Sequence, residues 1–90
     1  MSVKVHIHKT HRQHTDGKKD VYAEGGTVGQ CLQYLVCLYP GLKKALFDDK
    51  GGLKKVIEVY LNLESAYPDE LSKAVKEGDE IHLTLMIAGG

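Results

Sequence analysis

Residues 24–42 read EGGTVGQCLQYLVCLYPGL, and the spacing of the apolar side chains inside this stretch decides the architecture. Val28, Leu32, Leu35, Val36 and Tyr39 recur at the three- and four-residue intervals that place them on one face of an α-helix. Thr27 and Gln30 match the S/T-x-x-E/Q pattern, in which a hydroxyl caps the amide three residues on and the longer side chain reaches back. The helix is therefore predicted to start at Thr27 and to stop before Pro40-Gly41. A helix with one apolar face needs a second layer to cover it, so the flanking segments must supply a sheet.

They read as strands. Ahead of the helix, VKVHIH (3–8) alternates Val3, Val5 and Ile7 with Lys4, His6 and His8, the pattern of a strand with one buried and one wet face. The polar tip KTHRQHTDG (9–17) closes on the turn signal Asp16-Gly17, and KKDVYA (18–23) reads as the returning strand of a hairpin. Beyond the helix, LKKALF suggests one short helical turn and DDKGG a loop. VIEVYLN (56–62) is a β-branched and aromatic strand. YPDELSKAVKEGDE (67–80) reads as a polar link with a short helical turn ending at Gly78, and IHLTLMI (81–87) alternates again, with Ile81, Leu83, Leu85 and Ile87 on one face. The order hairpin, helix, strand, turn, strand gives a single α+β domain over residues 1–90. One main helix covers a mixed sheet of four to five strands, the last strand running parallel beside the first through a right-handed crossover. That arrangement is the β-grasp.

Ninety residues support one modest core and leave little room for a deep substrate cavity. Twelve basic residues balance twelve acidic ones, so no net field draws the chain toward nucleic acid or an anionic membrane. The most apolar window, CLQYLVCLY (31–39), is too short to span a bilayer. A soluble, cytoplasmic protein, monomeric when alone, is expected. Cys31 and Cys37 stand six residues apart on the predicted helix, about 9 Å along its axis and beyond bridging distance. Two free, half-buried thiols agree with a reducing compartment.

Three other features invite chemistry. Histidines at 6, 8, 11, 14 and 82 raise a metal site, since His6, His8 and His82 share the polar face of adjacent strands. No sequence-local carboxylate or thiolate set completes it, and His11 and His14 fall on a tip read as mobile, so no metal site is assigned. GGTVG lacks the full phosphate-loop pattern, and a turn with a capping box accounts for its glycines. The lysines of LKKALFDDKGGLKK are offset by Asp48 and Asp49, which argues against a nucleic-acid patch. Tyr60 and Met86 are expected to share the outer sheet face with His6 and His82, a semi-apolar surface suited to a partner.

The final stretch, LTLMIAGG (83–90), runs from strand-like residues into Ala88, Gly89 and Gly90. Glycine lacks a β-carbon and passes through channels too narrow for other residues. Extended, Ala88 to Gly90 reach about 10 Å past the last strand. Such a tail can carry its carboxylate into a partner's active site while the body stays outside.

With this tail in place the chain resembles, over nearly its full length, the ubiquitin-like sulfur carriers of the ThiS, MoaD and CysO type. The resemblance rests on GGTVGQCLQYL, YPGLKKALFD, VYLNLE with Asn62, VKEGDEIHL and the terminal AGG, in this order and spacing. The tip RQHTDG, with Arg12, His14, Thr15 and Gly17, looks more like the CysO branch than the shorter ThiS tip. The chain departs from the pattern at Leu63 and Glu64, where many MoaD-like chains have Gly-Glu.

The resemblance implies that an E1-like enzyme, using ATP and magnesium, adenylates the Gly90 carboxylate, and that a sulfur donor displaces AMP to leave a thiocarboxylate. Gly90 is then the reacting residue, Gly89 the clearance residue and Ala88 a small neighbour. Met86, Tyr60, His82 and His6 form the docking patch. The chain binds no cofactor itself and acts as co-substrate rather than catalyst. Its partners are the activating enzyme and a sulfur-accepting synthase, in a pathway to cysteine, with molybdopterin or thiamine as other destinations. Two readings stand beside this one: a protein modifier conjugated through Gly90, and the small subunit of a molybdopterin synthase. A third class, a non-covalent binding or metal module, would make the tail irrelevant.

Overall fold

The computed structural model describes residues 2–86. Strands β1 (Ser2–His6), β2 (Asp20–Glu24), β3 (Ile57–Leu61), β4 (Glu64–Ser65) and β5 (Glu80–Leu85) form one mixed sheet in the order β2-β1-β5-β3-β4. Helices α1 (Val28–Leu38) and α2 (Gly41–Leu46) follow the first hairpin. β5 is the central strand. It pairs parallel with β1 and antiparallel with β3, as the crossover argument requires for a β-grasp.

Alternation along each strand sends one set of side chains inward. Val3, Val5, Val21, Ala23, Ile57, Val59, Ile81 and Leu83 are buried on the face that meets the helices. α1 returns Val28, Cys31, Leu32 and Leu35 to the same core, and α2 adds Leu42 and Leu46. Burying each large aliphatic side chain contributes about 1.5–3 kcal/mol before conformational entropy is subtracted. The predicted helical face is thus confirmed at its centre, while Val36 and Tyr39 lie only partly buried at its margin. The two cysteines are not alike: Cys31 is fully buried and Cys37 exposed, and both are free. Among the described residues no helix is long and apolar enough to cross a membrane.

The start of α1 carries the expected cap in a shifted form. The Thr27 hydroxyl accepts from the Gln30 amide at 3.1 Å, but the Gln30 side chain accepts from Gly26, at 2.7 Å, rather than from Thr27.

The hairpin tip differs from the loose segment expected of it. Lys9–Thr15 forms a 3-10 helix packed against α2, with His11 and Thr15 buried. Thr15 donates to the Lys18 carbonyl at 2.7 Å, and the Arg12 guanidinium donates to the Ile7 carbonyl at 3.1 Å. The approach to α2 is close enough that a β-carbon on Gly41 would lie 2.6 Å from His14 Nδ1. Polar composition suggested mobility, yet the tip is held by hydrogen bonds and by this glycine contact. The later helical turn also ends early, at Ser72, and Gly78 instead occupies a tight turn with φ +88° before β5.

β4 has only two residues, too few for an alternation to be read, and both are exposed. It is joined to β3 by Asn62 and Leu63, with φ of +52° and +72°. Two successive left-handed residues make the hairpin loop whose twist suits the flanking strands. Asparagine tolerates this region, but leucine does so at a cost of about 1–2 kcal/mol. Here the departure from the Gly-Glu pattern acquires a physical meaning: Leu63, highly exposed, stands where glycine would be unstrained. Leu63→Gly is expected to raise stability by about 0.5–1 kcal/mol, the strain relief less glycine's greater unfolded freedom. A urea midpoint that moves upward at constant slope checks this, and a decrease would show that the loop bears no strain.

Candidate functional site

Val5, Ile81 and Val59 point into the core, so their neighbours His6, His82 and Tyr60 must point outward. Sheet register then aligns these with residues of the two edge strands. Asp20 pairs with His6, His6 with His82, His82 with Tyr60, and Tyr60 with Ser65. One row therefore crosses all five strands on the outer face. Met86 extends the same side, its amide donating to the Val56 carbonyl at 2.7 Å, and its side chain is exposed. The register brings His6, His82 and Tyr60 side by side, whereas Met86 lies four residues beyond His82, past the end of β5. Ala88, Gly89 and Gly90, together with Ile87, lie outside the described residues.

The character of this face differs from the semi-apolar patch expected. The His6 and His82 rings stack with centroids 4.0 Å apart and planes 13° from parallel. His6 Nδ1 stands 2.5 Å from Asp20 Oδ1, and His6 Nε2 stands 2.8 Å from Glu80 Oε1. His82 Nε2 is 3.8 Å from the same Glu80 oxygen. The centre of the face is thus a polar cluster, with Tyr60 next to His82 in the row and the exposed Tyr22 two residues from Asp20 on β2. The His6 hydrogen bond, more than the nearby positive charges, holds the Glu80 carboxyl below its usual range. Partial burial, and then His6, push the His82 imidazole down, against the opposing pull of Glu80 and Asp20.

Two members of this cluster, Asp20 and Glu80, escaped the reading from sequence. The statement that no local carboxylate accompanies the histidines is corrected by Glu80, two residues before His82. Residues i and i+2 of a strand share a face, so the Glu-Ile-His spacing was the available signal. Asp20 had no such signal, since it meets His6 only through hairpin register. His11 does not join the cluster. Its ring is buried in the tip with Nδ1 lacking a partner, and burial, then His8, lower its basicity.

A second polar set fixes the approach to β5. Asn62 donates through its side-chain amide to Asp79 at 3.0 Å and accepts from the Glu80 amide at 2.9 Å, while its backbone N–H donates to the Glu80 carbonyl at 2.9 Å. Asp79 also accepts from the Lys76 amide at 2.9 Å. These bonds clasp the β3–β4 loop to the first residue of β5 and explain why Asn62 and the segment KEGDE belong together. Hydrogen bonds from Asn62, then Lys76, hold the Asp79 carboxyl below its ordinary value of 3.8. A carboxyl depressed by folding stabilises the native state above its unfolded value, and the contribution fades as pH falls through the folded one. Asp79→Asn is accordingly expected to lower stability at neutral pH and to flatten the loss of stability below about pH 4. Urea titrations at several pH values measure both, and parallel curves for the two proteins would exclude a charged clasp.

Burial raises the Cys31 thiol above its usual range, which suits an inert core thiol rather than a nucleophile.

Comparison with known proteins agrees with this geometry. The family model described as the ThiS family matches residues 5–90. The sulfur carrier protein CysO of Mycobacterium tuberculosis is 33% identical over 93 aligned positions, covering all of both chains. The small archaeal modifier protein 1 of Haloferax volcanii is 39% identical over 64 positions, 71% of this chain and 70% of that one. Among solved structures, the complex of BexX and CysO from Amycolatopsis orientalis superposes with a TM-score of 0.87 at 34% identity, covering 98% of this chain and 99% of the other. The crystal structure of the Haloferax volcanii modifier gives 0.86 at 30% identity over the whole of both chains.

Proposed function

Because this chain belongs to the ThiS family of ubiquitin-like sulfur carriers, we propose that Gly90 is its reacting residue and that it carries sulfur as a C-terminal thiocarboxylate, with cysteine synthesis as the favoured destination. The observation that carries this reading is the match to the sulfur carrier CysO, which spans both chains end to end. The modifier of Haloferax volcanii has the same fold, but its sequence match covers a smaller share of the chain.

The chemistry follows from the inertness of a carboxylate toward nucleophiles. An oxygen of the Gly90 carboxylate attacks the α-phosphorus of ATP and pyrophosphate leaves, giving a mixed anhydride with AMP as a good leaving group. A sulfur nucleophile then attacks the carbonyl and AMP departs. Magnesium and cationic side chains of the activating enzyme neutralise the phosphoryl charge. This chain provides the acyl group and the reach. Gly89 and Ala88 keep the tail narrow, while His6, His82, Tyr60 and Met86 provide a docking face on the body. The partners proposed are an E1-like activating enzyme and a sulfur-accepting synthase in the cytoplasm, with ATP bound by the enzyme and the carrier monomeric when alone. A two-protein arrangement has a parallel in the BexX/CysO complex.

The test is the intact mass of the protein taken from its native cells. One sulfur in place of one oxygen at the C-terminus is the expected result. A ladder of isopeptide-linked species would favour the modifier instead, and an unmodified mass under conditions of active sulfur assimilation would overturn both.

A further inference from the structure

We propose that His6, Glu80 and His82 form a binding site for a divalent transition-metal ion, zinc foremost, with Asp20 positioning His6. The site is independent of the chemistry at Gly90 and uses none of the tail.

The donor atoms of the three residues lie within 4.8 Å of one another. An ion about 2.0–2.2 Å from each of its nitrogen and oxygen ligands in tetrahedral geometry separates neighbouring donors by about 3.3 Å. The two observed distances to Glu80 Oε1, 2.8 Å from His6 and 3.8 Å from His82, straddle that value. To seat the ion the two stacked rings, now 13° from parallel, must tilt so that both lone pairs converge, a side-chain movement that leaves the paired strand backbones in place. Each side chain is only partly buried, with 29% of His6, 46% of Glu80 and 29% of His82 still exposed, so an ion has a path from solvent.

The environment of His6 supplies the stronger argument. Both of its ring nitrogens face carboxylate oxygens, Nδ1 toward Asp20 and Nε2 toward Glu80. A neutral imidazole has one N–H and can satisfy only one of them. The second contact, at 2.8 Å, takes a proton, and an ion that displaces this proton must part the two donors to about 3.3 Å. With Nδ1–H given to Asp20, Nε2 presents its lone pair beside Glu80, the carboxylate–histidine–metal arrangement in which the outer carboxylate fixes tautomer and orientation. Two carboxylates beside two neutral imidazoles also sum to the charge that a divalent ion balances. Lys4 pairs with Glu80 across β1 and β5 and its charge helps lower that carboxyl, but its ammonium lies 6.0 Å over the Tyr22 ring.

Two imidazoles and one carboxylate suit zinc, cobalt or nickel, whereas magnesium and calcium prefer oxygen throughout. Three protein ligands leave a coordination position open toward solvent, on the same face as Tyr60 and Met86. A metal there adds a directional contact at the polar centre of that face.

The test is a zinc titration of the full chain followed through the ring resonances of its five histidines, with cobalt absorption as an optical check on nitrogen ligation. One equivalent is expected to shift His6 and His82 and to leave His8, His11 and His14 in place. His82→Gln and Glu80→Gln are each expected to abolish saturable binding while far-ultraviolet circular dichroism stays native. Asp20→Asn, which acts through His6, is expected to weaken affinity by about 10–100-fold. A chain lacking Gly90 binds as the parent does, which keeps this result separate from the carrier reading. Absence of saturable shifts at millimolar zinc, shifts centred on the tip histidines, or a folded His82→Gln protein that binds as before would each overturn the site.

Discussion

Removal of Gly90 alone is expected to abolish sulfur loading completely while leaving the melting temperature unchanged. The new terminus, Gly89, still bears a carboxylate, so chemical competence is retained and only reach is lost. One residue of extended chain is about 3.3–3.6 Å. Displacement by that distance takes the acyl carbon out of range of a bound α-phosphate, because reacting atoms must approach within about 3–3.5 Å with aligned orbitals. The measurement is incubation of the purified chain with its activating enzyme, ATP and a sulfide source, read by intact mass, with thermal unfolding in parallel. Wild-type protein gains one sulfur for one oxygen, and the shortened protein does not. Loading of the shortened chain at the parental rate would mean that the enzyme does not measure tail length, and the assignment of Gly90 would fail.

The second large effect lies in the body. Ile81 is fully buried in the central strand, paired with Val5 on one side and Leu61 on the other. Ile81→Ala removes three carbons from a site walled by two ladders that have little freedom to collapse, so the cost is expected to be about 2–5 kcal/mol. A domain of this size has a total stability of about 5–15 kcal/mol. The melting temperature is therefore expected to fall by about 8–40 °C, at roughly 4–8 °C per kcal/mol. Calorimetry measures it directly, and a fall of only a degree or two would mean that the strand is not central to the core. Sulfur loading should drop only as the unfolded fraction rises, the reverse of the Gly90 deletion. The pair of variants separates damage to the body from damage to the reacting end.

Much of this architecture was legible because one period gave way to another. The 3.6-residue spacing from Val28 to Tyr39 between two alternating stretches leaves few topologies, and the parallel pairing of β1 and β5 follows from chain order. What escaped had no local period. β4 is two residues long, and its position depends on the left-handed pair Asn62 and Leu63. The hairpin tip was read as mobile from its polarity, since the bonds that order it, Thr15 to Lys18 and Arg12 to Ile7, leave no apolar trace.

The outer face shows the same division. Alternation alone placed His6, His82 and Tyr60 together, but whether a face is greasy or ionic depends on which carboxylates the register delivers. Glu80 was within reach of the argument through its spacing from His82. Asp20 was not, because a hairpin with a long tip does not reveal its register.

The position of β5 has a mechanical consequence. A partner that draws the tail into its own interior pulls along the axis of the strand to which the tail is joined. Were that strand at the sheet margin, tension could peel its bonds away one after another. β5 is instead gripped along both flanks, by β1 and by β3, and a lengthwise pull loads many bonds in shear at once. The fold is braced against the tug that handing over its own end would entail.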